Sequence, residues 1–141
     1  MKKINLHIGG QYRDFYFGLG FLGNLLETEN VQLHEIESNL LKNSYKWMPL
    51  VMYHSLAWGY IRRNEPIPFN TFDVSDWIDD LTEFDDVEVV LRINEDGTKE
   101  TTTVKLQTVV RTFFKAFWES INKNVPEQKE EEQAKKKVTE K

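Results

Sequence analysis

The hydrophobic period of this chain changes once, early, and that change limits the folds open to it. Ile4, Leu6 and Ile8 alternate with Asn5 and His7, the period of a half-buried strand. Gly9-Gly10 follows, a pair that tolerates positive φ at both centres of a tight hairpin turn. The chain returns through Gln11 to Phe17 with Tyr12, Phe15, Tyr16 and Phe17. Beyond Gly18 and Gly20, the residues Leu19, Phe21, Leu22, Leu25 and Leu26 fall at helical spacing. A hairpin over 3–17 therefore feeds directly into a short apolar helix over about 19–27. None of these side chains is chemically reactive, so the segment is suited to packing or pairing.

The rest of the chain reads as helical with one further β-prone stretch. Asn30 is placed to cap a helix over 31–43 that carries Val31, Leu33, Ile36, Leu40 and Leu41 along one side. Pro49 fits the first turn of a helix over 48–63, apolar on nearly every face from Leu50 to Ile61 and therefore central in the fold. Asp73 resembles the N-cap of a helix over 73–84 holding Val74, Trp77, Ile78 and Leu81. Val87 to Ile93 and Thr101 to Leu106 flank the turn signal Asn94-Glu95-Asp96-Gly97, which predicts a second hairpin near 87–106. A helix over 86–95 is the rival reading, because short apolar runs defeat periodicity arguments. A long helix over 107–124 carries Val110, Phe113, Phe114, Phe117, Trp118 and Ile121. The expected class is α+β, mainly helical: an N-terminal β-hairpin, a helical bundle in one domain over 1–125, and a disordered charged tail over 126–141.

Composition excludes several chemistries. The 141 residues include no cysteine, which removes disulfides, thiolate metal sites and cysteine nucleophiles. The formal charge is −5, and the 18 basic residues form no broad stripe, so no nucleic-acid partner is expected. No apolar run approaches the ~20 residues that span a bilayer, and Met1-Lys2-Lys3 leads into polar residues rather than a signal sequence, so no membrane partner is expected either. His7, His34 and His54 fall on three different elements, and His54, on the apolar helix, reads as a satisfied core or interface histidine. Asp76, Asp79, Asp80 and Glu83 recur at i, i+3, i+4 and i+7, which on a helix is one acidic, solvated face and the best place for acid–base or metal chemistry. Asn94 to Gly97 lacks the register of a calcium loop. Gly18-Leu19-Gly20-Phe21-Leu22-Gly23 matches the dinucleotide glycine pattern, but no second strand follows where a βαβ unit needs one. No catalytic, cofactor-binding or metal-ligating residues are assigned.

The hairpin Ile4-Asn5-Leu6-His7-Ile8-Gly9-Gly10-Gln11-Tyr12-Arg13-Asp14-Phe15-Tyr16, followed by Phe17-Gly18-Leu19-Gly20-Phe21-Leu22, resembles the start of the tail assembly chaperones of long-tailed phages and prophages. The later counterparts are the apolar helix over Pro49 to Tyr60 and the acidic-start helix over Asp73 to Leu81; residues 86–106 are longer and more β-prone than the family pattern. The resemblance implies a non-enzymatic role in virion morphogenesis without cofactors. Such a protein coats the tape measure protein and helps recruit tail tube protein, as a homo-oligomer, in the host cytoplasm and not in the mature virion. It also implies a longer frameshifted form, for which Lys135-Lys136-Lys137 would be the slippery run; an ordinary charged tail is the plainer reading of those lysines.

A coating protein needs exposed apolar surface. The candidate protein-binding residues are Phe15, Phe17, Phe21, Tyr53, Trp58, Phe114 and Trp118. The first strand or Phe15-Tyr16-Phe17 is a candidate for edge pairing with a neighbour. Two rival classes remain. One is a small acidic adaptor or regulator of a mobile element, binding through Asp76, Asp79 and Asp80 in a salt-sensitive way. The other is an enzyme using those carboxylates.

Overall fold

The computed structural model describes residues 2–124. The fold is α+β and mainly helical, with the N-terminal hairpin first. Strands β1 (Lys3–Ile8) and β2 (Gln11–Tyr16) pair antiparallel, with Ile8 opposite Gln11 and Lys3 opposite Tyr16. Gly9 and Gly10 close the turn at φ of 63° and 80°, the left-handed values a two-residue hairpin turn demands. Residues directly opposite share a face, so Ile4, Leu6 and Ile8 stand with Phe15 and Arg13 on one side. Helices α1 (Leu19–Glu29), α2 (Leu33–Lys42), α3 (Ser44–Arg62), α4 (Thr71–Asp79) and α5 (Thr108–Asn124) form the body, and β3 (Phe84–Ile93) with β4 (Lys99–Gln107) makes the second hairpin.

Helix α3 is the hub, packing against β2, α1, α2 and α4, which accords with its apolar character on every face. Ser55 Oγ donates to the Tyr16 carbonyl at 2.9 Å, and Gly59 lets the Tyr16 ring approach so closely that an added Cβ would sit 2.5 Å from it. At the other end of the core, Phe113 of α5 meets Phe15 and Phe17 with ring centroids 5.1 and 5.4 Å apart, and Phe21 meets Phe117 at 6.0 Å. This cluster of rings ties the first hairpin and α1 to the last helix.

Four boundaries differ from the sequence reading, each for a local reason. Asn30 does not cap α2. It is the left-handed C-cap of α1, with φ 53°, and its N–H bonds the carbonyls of Leu26 and Glu27. Gln32 caps α2 instead, its N–H donating to Glu35 Oε1 at 3.1 Å. Helix α3 starts at Ser44, so Pro49 lies inside it rather than in its first turn. Proline has no N–H to donate to the carbonyl four residues back, that of Tyr45, a solvent-exposed residue. The fourth helix is capped by Asn70, whose Oδ1 accepts from the Asp73 N–H while Asp73 Oδ2 accepts from the Asn70 N–H, both at 2.9 Å. That helix ends at Asp79, not near 84. Carboxylates at Asp76, Asp79, Asp80 and Glu83 would crowd the negative end of a longer helix dipole. The tail over 126–141 and its lysine run lie outside the described residues.

The stretch near 87–106 is a hairpin, extended to 84–107, and the helical alternative is not adopted. Its turn is closed by Asn94 N–H to Thr98 O at 2.7 Å and Gly97 N–H to Asn94 O at 3.0 Å, with Gly97 at φ 88°. The register slips between Val90 and Arg92, leaving Leu91 as the extra residue of a β-bulge.

Candidate functional site

The seven candidate binding residues do not form one surface. Phe15, Phe17 and Phe21 are fully or almost fully buried among Phe113 and Phe117. They are core residues, and the breadth of apolar surface on α5 is largely taken up by them. Phe114 and Trp118 lie half-buried beside Phe117, with centroid distances of 5.9 and 4.9 Å. Tyr53 and Trp58 occupy different sides of α3. Tyr53 packs edge-on to Phe69 at 5.9 Å, and burial raises its hydroxyl pKa. Trp58 covers Gly20 of α1 so tightly that an added Cβ there would lie 2.5 Å from the indole.

The large apolar side chains that do face solvent are different ones. Tyr12 is 72% exposed, Leu41 and Tyr45 each 80%, and Phe72 81%. Leu41 falls off the stripe of Leu33, Ile36 and Leu40 because it is rotated about 100° from Leu40. The signal available in sequence was that offset, and the position of Phe72 in the first turn of α4, two residues after the Asn70 cap. The second hairpin adds Leu91 and Ile93, two-thirds exposed, with Val90, Phe84 and Leu106 also exposed. Its register places Val87, Val89, Val104 and Leu106 on one face and Phe84, Val90 and Ile93 on the other. Among the described residues, none from 84 to 107 joins the core or the apolar shell packed on it. The ribbon is held at its base: Gln107 Nε2 donates to the Ile78 carbonyl at 2.7 Å, the Thr108 N–H to the Glu83 carbonyl at 3.1 Å, and Arg111 pairs with Asp85 at 3.2 Å. Beyond the base it offers two unpaired strand edges.

A cleft of about 210 Å³ opens between β2, α3 and Phe69, with Tyr12, Tyr16, Tyr60 and Arg63 in its lining. Arg13 forms part of its wall from the apolar face of the first hairpin. The Arg13 guanidinium lies 4.0 Å from the Trp77 ring centroid, and its Nε and Nη2 donate to the Ile8 and Gly9 carbonyls at 2.9 and 3.1 Å. Burial lowers the Arg13 pKa, opposed by Tyr60, though a guanidinium stays charged throughout the physiological range. Arg63 donates from Nε to Glu65 Oε2 at 3.0 Å, a bond that raises its pKa. The cleft thus mixes aromatic rings with the polar side chains of Gln11, Arg13, Asp14 and Arg63.

The acidic positions do not share one helix face. Asp76 and Asp79 lie on α4, Asp80 is its C-cap and Glu83 lies beyond it, all exposed. Among the described residues, no three His, Asp or Glu converge in a manner suited to a metal ion. His54 is buried and its Nε2 lies 2.8 Å from Glu29 Oε2, which fastens the end of α1 to α3. His7 and His34 are exposed on other elements. Among the described residues, no helix is long and apolar enough to cross a membrane. No family model, no curated protein and no solved structure matches the chain.

Proposed function

We propose that this protein is a non-enzymatic phage tail assembly chaperone, binding tape measure protein and helping to recruit tail tube protein while the tail is built. The observation that carries the reading is the apolar surface left outside a closed aromatic core. Tyr12, Leu41, Tyr45 and Phe72 stand in solvent, and a whole two-stranded ribbon carries apolar side chains on both faces without resting them on the body. An isolated two-stranded hairpin is at best marginally stable in water, and exposed apolar groups with free strand edges are used by being covered. Reversible apolar contact with a long helical cargo requires no reactive group, and it keeps the cargo from aggregating until the tail tube protein replaces the coat. In this reading the exposed rings of Tyr12 and Phe72 take cargo side chains.

The test is co-expression with the tape measure protein of the same phage or prophage, followed by co-purification over a range of salt. Apolar coating predicts that the complex survives high ionic strength and keeps the tape measure protein soluble. A complex that forms at low salt, dissociates as salt rises and is abolished by Asp76→Asn with Asp79→Asn supports the acidic adaptor instead. Failure of the tape measure protein to bind at any salt overturns the proposal.

A further inference from the structure

We propose that the Asp96–Gly97 bond at the tip of the β3–β4 ribbon is a spontaneous modification site, where aspartate converts to isoaspartate, and that Thr98 holds the conversion in check. Asp96 is the one aspartate in the sequence followed by glycine, and no asparagine precedes a glycine. Glycine leaves the nitrogen after an aspartate unshielded. Beyond its chain neighbours no atom lies within 4 Å of where a Gly97 Cβ would stand, and residues 95–98 are exposed. The reaction needs only water. The Gly97 nitrogen attacks Asp96 Cγ; the N–Cγ bond forms, one Cγ–O bond breaks, and the amide hydrogen leaves with the hydroxyl as water, giving a succinimide ring. Water then adds back to one of the two ring carbonyls. Opening at Cγ restores aspartate. Opening at the backbone carbonyl carbon leaves the chain running through Cβ and Cγ, which is isoaspartate. Composition and oxidation state are unchanged, and neither reactant nor clamp depends on what the chain binds.

The folded turn opposes each requirement. Asp96 Oδ1 accepts from the Thr98 N–H at 3.0 Å and from the Thr98 hydroxyl at 2.6 Å. The same hydroxyl accepts from Asn94 Nδ2 at 2.9 Å, and Arg92 Nε donates to Asn94 Oδ1 at 3.0 Å, so one run of bonds fixes the carboxylate to the tip. The Gly97 N–H donates to the Asn94 carbonyl at 3.0 Å, which holds the nucleophile in the turn. The bond from the Thr98 hydroxyl first, and then that from its N–H, lower the Asp96 pKa, and an ionised carboxylate has no hydroxyl to lose. Conversion therefore requires the tip to open, and its rate scales with the population of the opened tip. Opening is local, because among the described residues none from 84 to 107 joins the core or its apolar shell. Isoaspartate adds a methylene to the backbone between Asn94 and Thr98. The two bonds that close the turn, Gly97 N–H to Asn94 O and Asn94 N–H to Thr98 O, then lose their register.

Ageing of the full chain at neutral pH tests it, folded in buffer and unfolded in guanidinium chloride. Isoaspartate is located at residue 96 by electron-transfer fragmentation of the proteolytic peptide. It is counted by methyl transfer from S-adenosylmethionine with an isoaspartyl methyltransferase. The unfolded chain is expected to convert at residue 96 at least tenfold faster than the folded one. Thr98→Val removes the hydroxyl and keeps the N–H; the position is exposed, so the variant is expected to fold, which far-UV circular dichroism verifies. Folded Thr98→Val is expected to convert about fivefold faster than the folded wild type, as the loss of one net hydrogen bond implies, and the two unfolded chains at the same rate. Thr98→Ser, which keeps the hydroxyl, is expected to match the wild type when folded. Asp96→Glu, which would have to close a larger ring, is expected to show no conversion. Absence of isoaspartate at residue 96 in the unfolded wild type overturns the site. Equal rates in the folded and unfolded wild type, or a folded Thr98→Val that converts no faster than the folded wild type, overturn the control by Thr98.

Discussion

Replacing Phe113 and Phe72 separately with alanine contrasts the two kinds of aromatic surface in this molecule. Both are phenylalanines on helices, but Phe113 is 0% exposed and Phe72 is 81% exposed. Phe113 sits where β2, the Gly18 turn and α5 meet, with the rings of Phe15, Phe17, Phe114 and Phe117 at 5.1, 5.4, 4.9 and 6.2 Å. Truncating a buried phenylalanine removes its transfer free energy and leaves a cavity, at a cost of about 3–5 kcal/mol. A domain of this size has roughly 5–15 kcal/mol in total, so Phe113→Ala is expected to lower the melting temperature by roughly 10 °C or more. Phe113→Leu, with a smaller loss, serves if the alanine variant does not fold. Phe72→Ala loses almost no burial and is expected within about 0.5 kcal/mol of the wild type. Urea titration followed by circular dichroism, with unchanged slope as the control for two-state behaviour, gives both values. A loss below about 1 kcal/mol at Phe113, or one above about 2 kcal/mol at Phe72, would refute the division between core and working surface.

Gly9→Ala forces an L residue into φ 63° and brings its Cβ to 2.6 Å from the Trp77 ring, so roughly 2–4 kcal/mol of destabilisation is expected. Gly10→Ala, at φ 80° with open space around it, should cost only the backbone term of about 1–2 kcal/mol; equal effects at the two positions in urea titration would contradict the close packing of α4 on the first hairpin. Asn70→Ala removes the acceptor for the Asp73 N–H and is expected to cost about 1 kcal/mol, whereas Asp73 retains its bond to the residue 70 N–H. Asp14 accepts from Asn5 Nδ2 at 3.0 Å and from Lys3 Nζ at 3.3 Å, and these bonds, the first above all, lower its pKa below the unfolded value of 3.8 against the opposing effect of burial. Its stabilisation is therefore present above that value and lost as pH falls through the lower folded pKa; Asp14→Asn should be less stable than the wild type at pH 7 by no more than about 1 kcal/mol, the gap closing in acid. A gap unchanged down to pH 2 would contradict the assignment.

Local rules made the N-terminal half legible. The Gly9-Gly10 pair could be placed because few residues tolerate two consecutive left-handed conformations, and the apolar run of α3 identified the hub because no face of it suits solvent. His54 was legible for the same reason, an imidazole on an apolar helix needing a partner, though nothing local named Glu29. Asn30 was misplaced because asparagine suits both the start of one helix and the left-handed end of another, and only the backbone decides. Phe15, Phe17 and Phe21 were read as surface for a longer-range reason. The surplus on α5 is measured against what packs on it, and its partners, Phe15, Phe17 and Phe21, lie nearly a hundred residues earlier. Likewise the exposure of Leu41 and Tyr45 is set beside a helix break at Asn43, at φ −144° and ψ 48°, which no hydrophobic stripe records. In the second hairpin the β-prone runs marked the strands, but whether anything packs on them is a long-range matter, and none of their residues joins the core or its apolar shell.

Hydrogen–deuterium exchange of the chain with and without tape measure protein bears most directly on the claim that solvent-exposed apolar groups are the working surface. Slowed exchange is expected around Tyr12, from Leu41 to Tyr45, at Phe72 and along the ribbon, with the already protected core of α3 and α5 unchanged. Protection confined to Asp76 through Glu83, with the apolar segments exchanging as they do in the free chain, would contradict it.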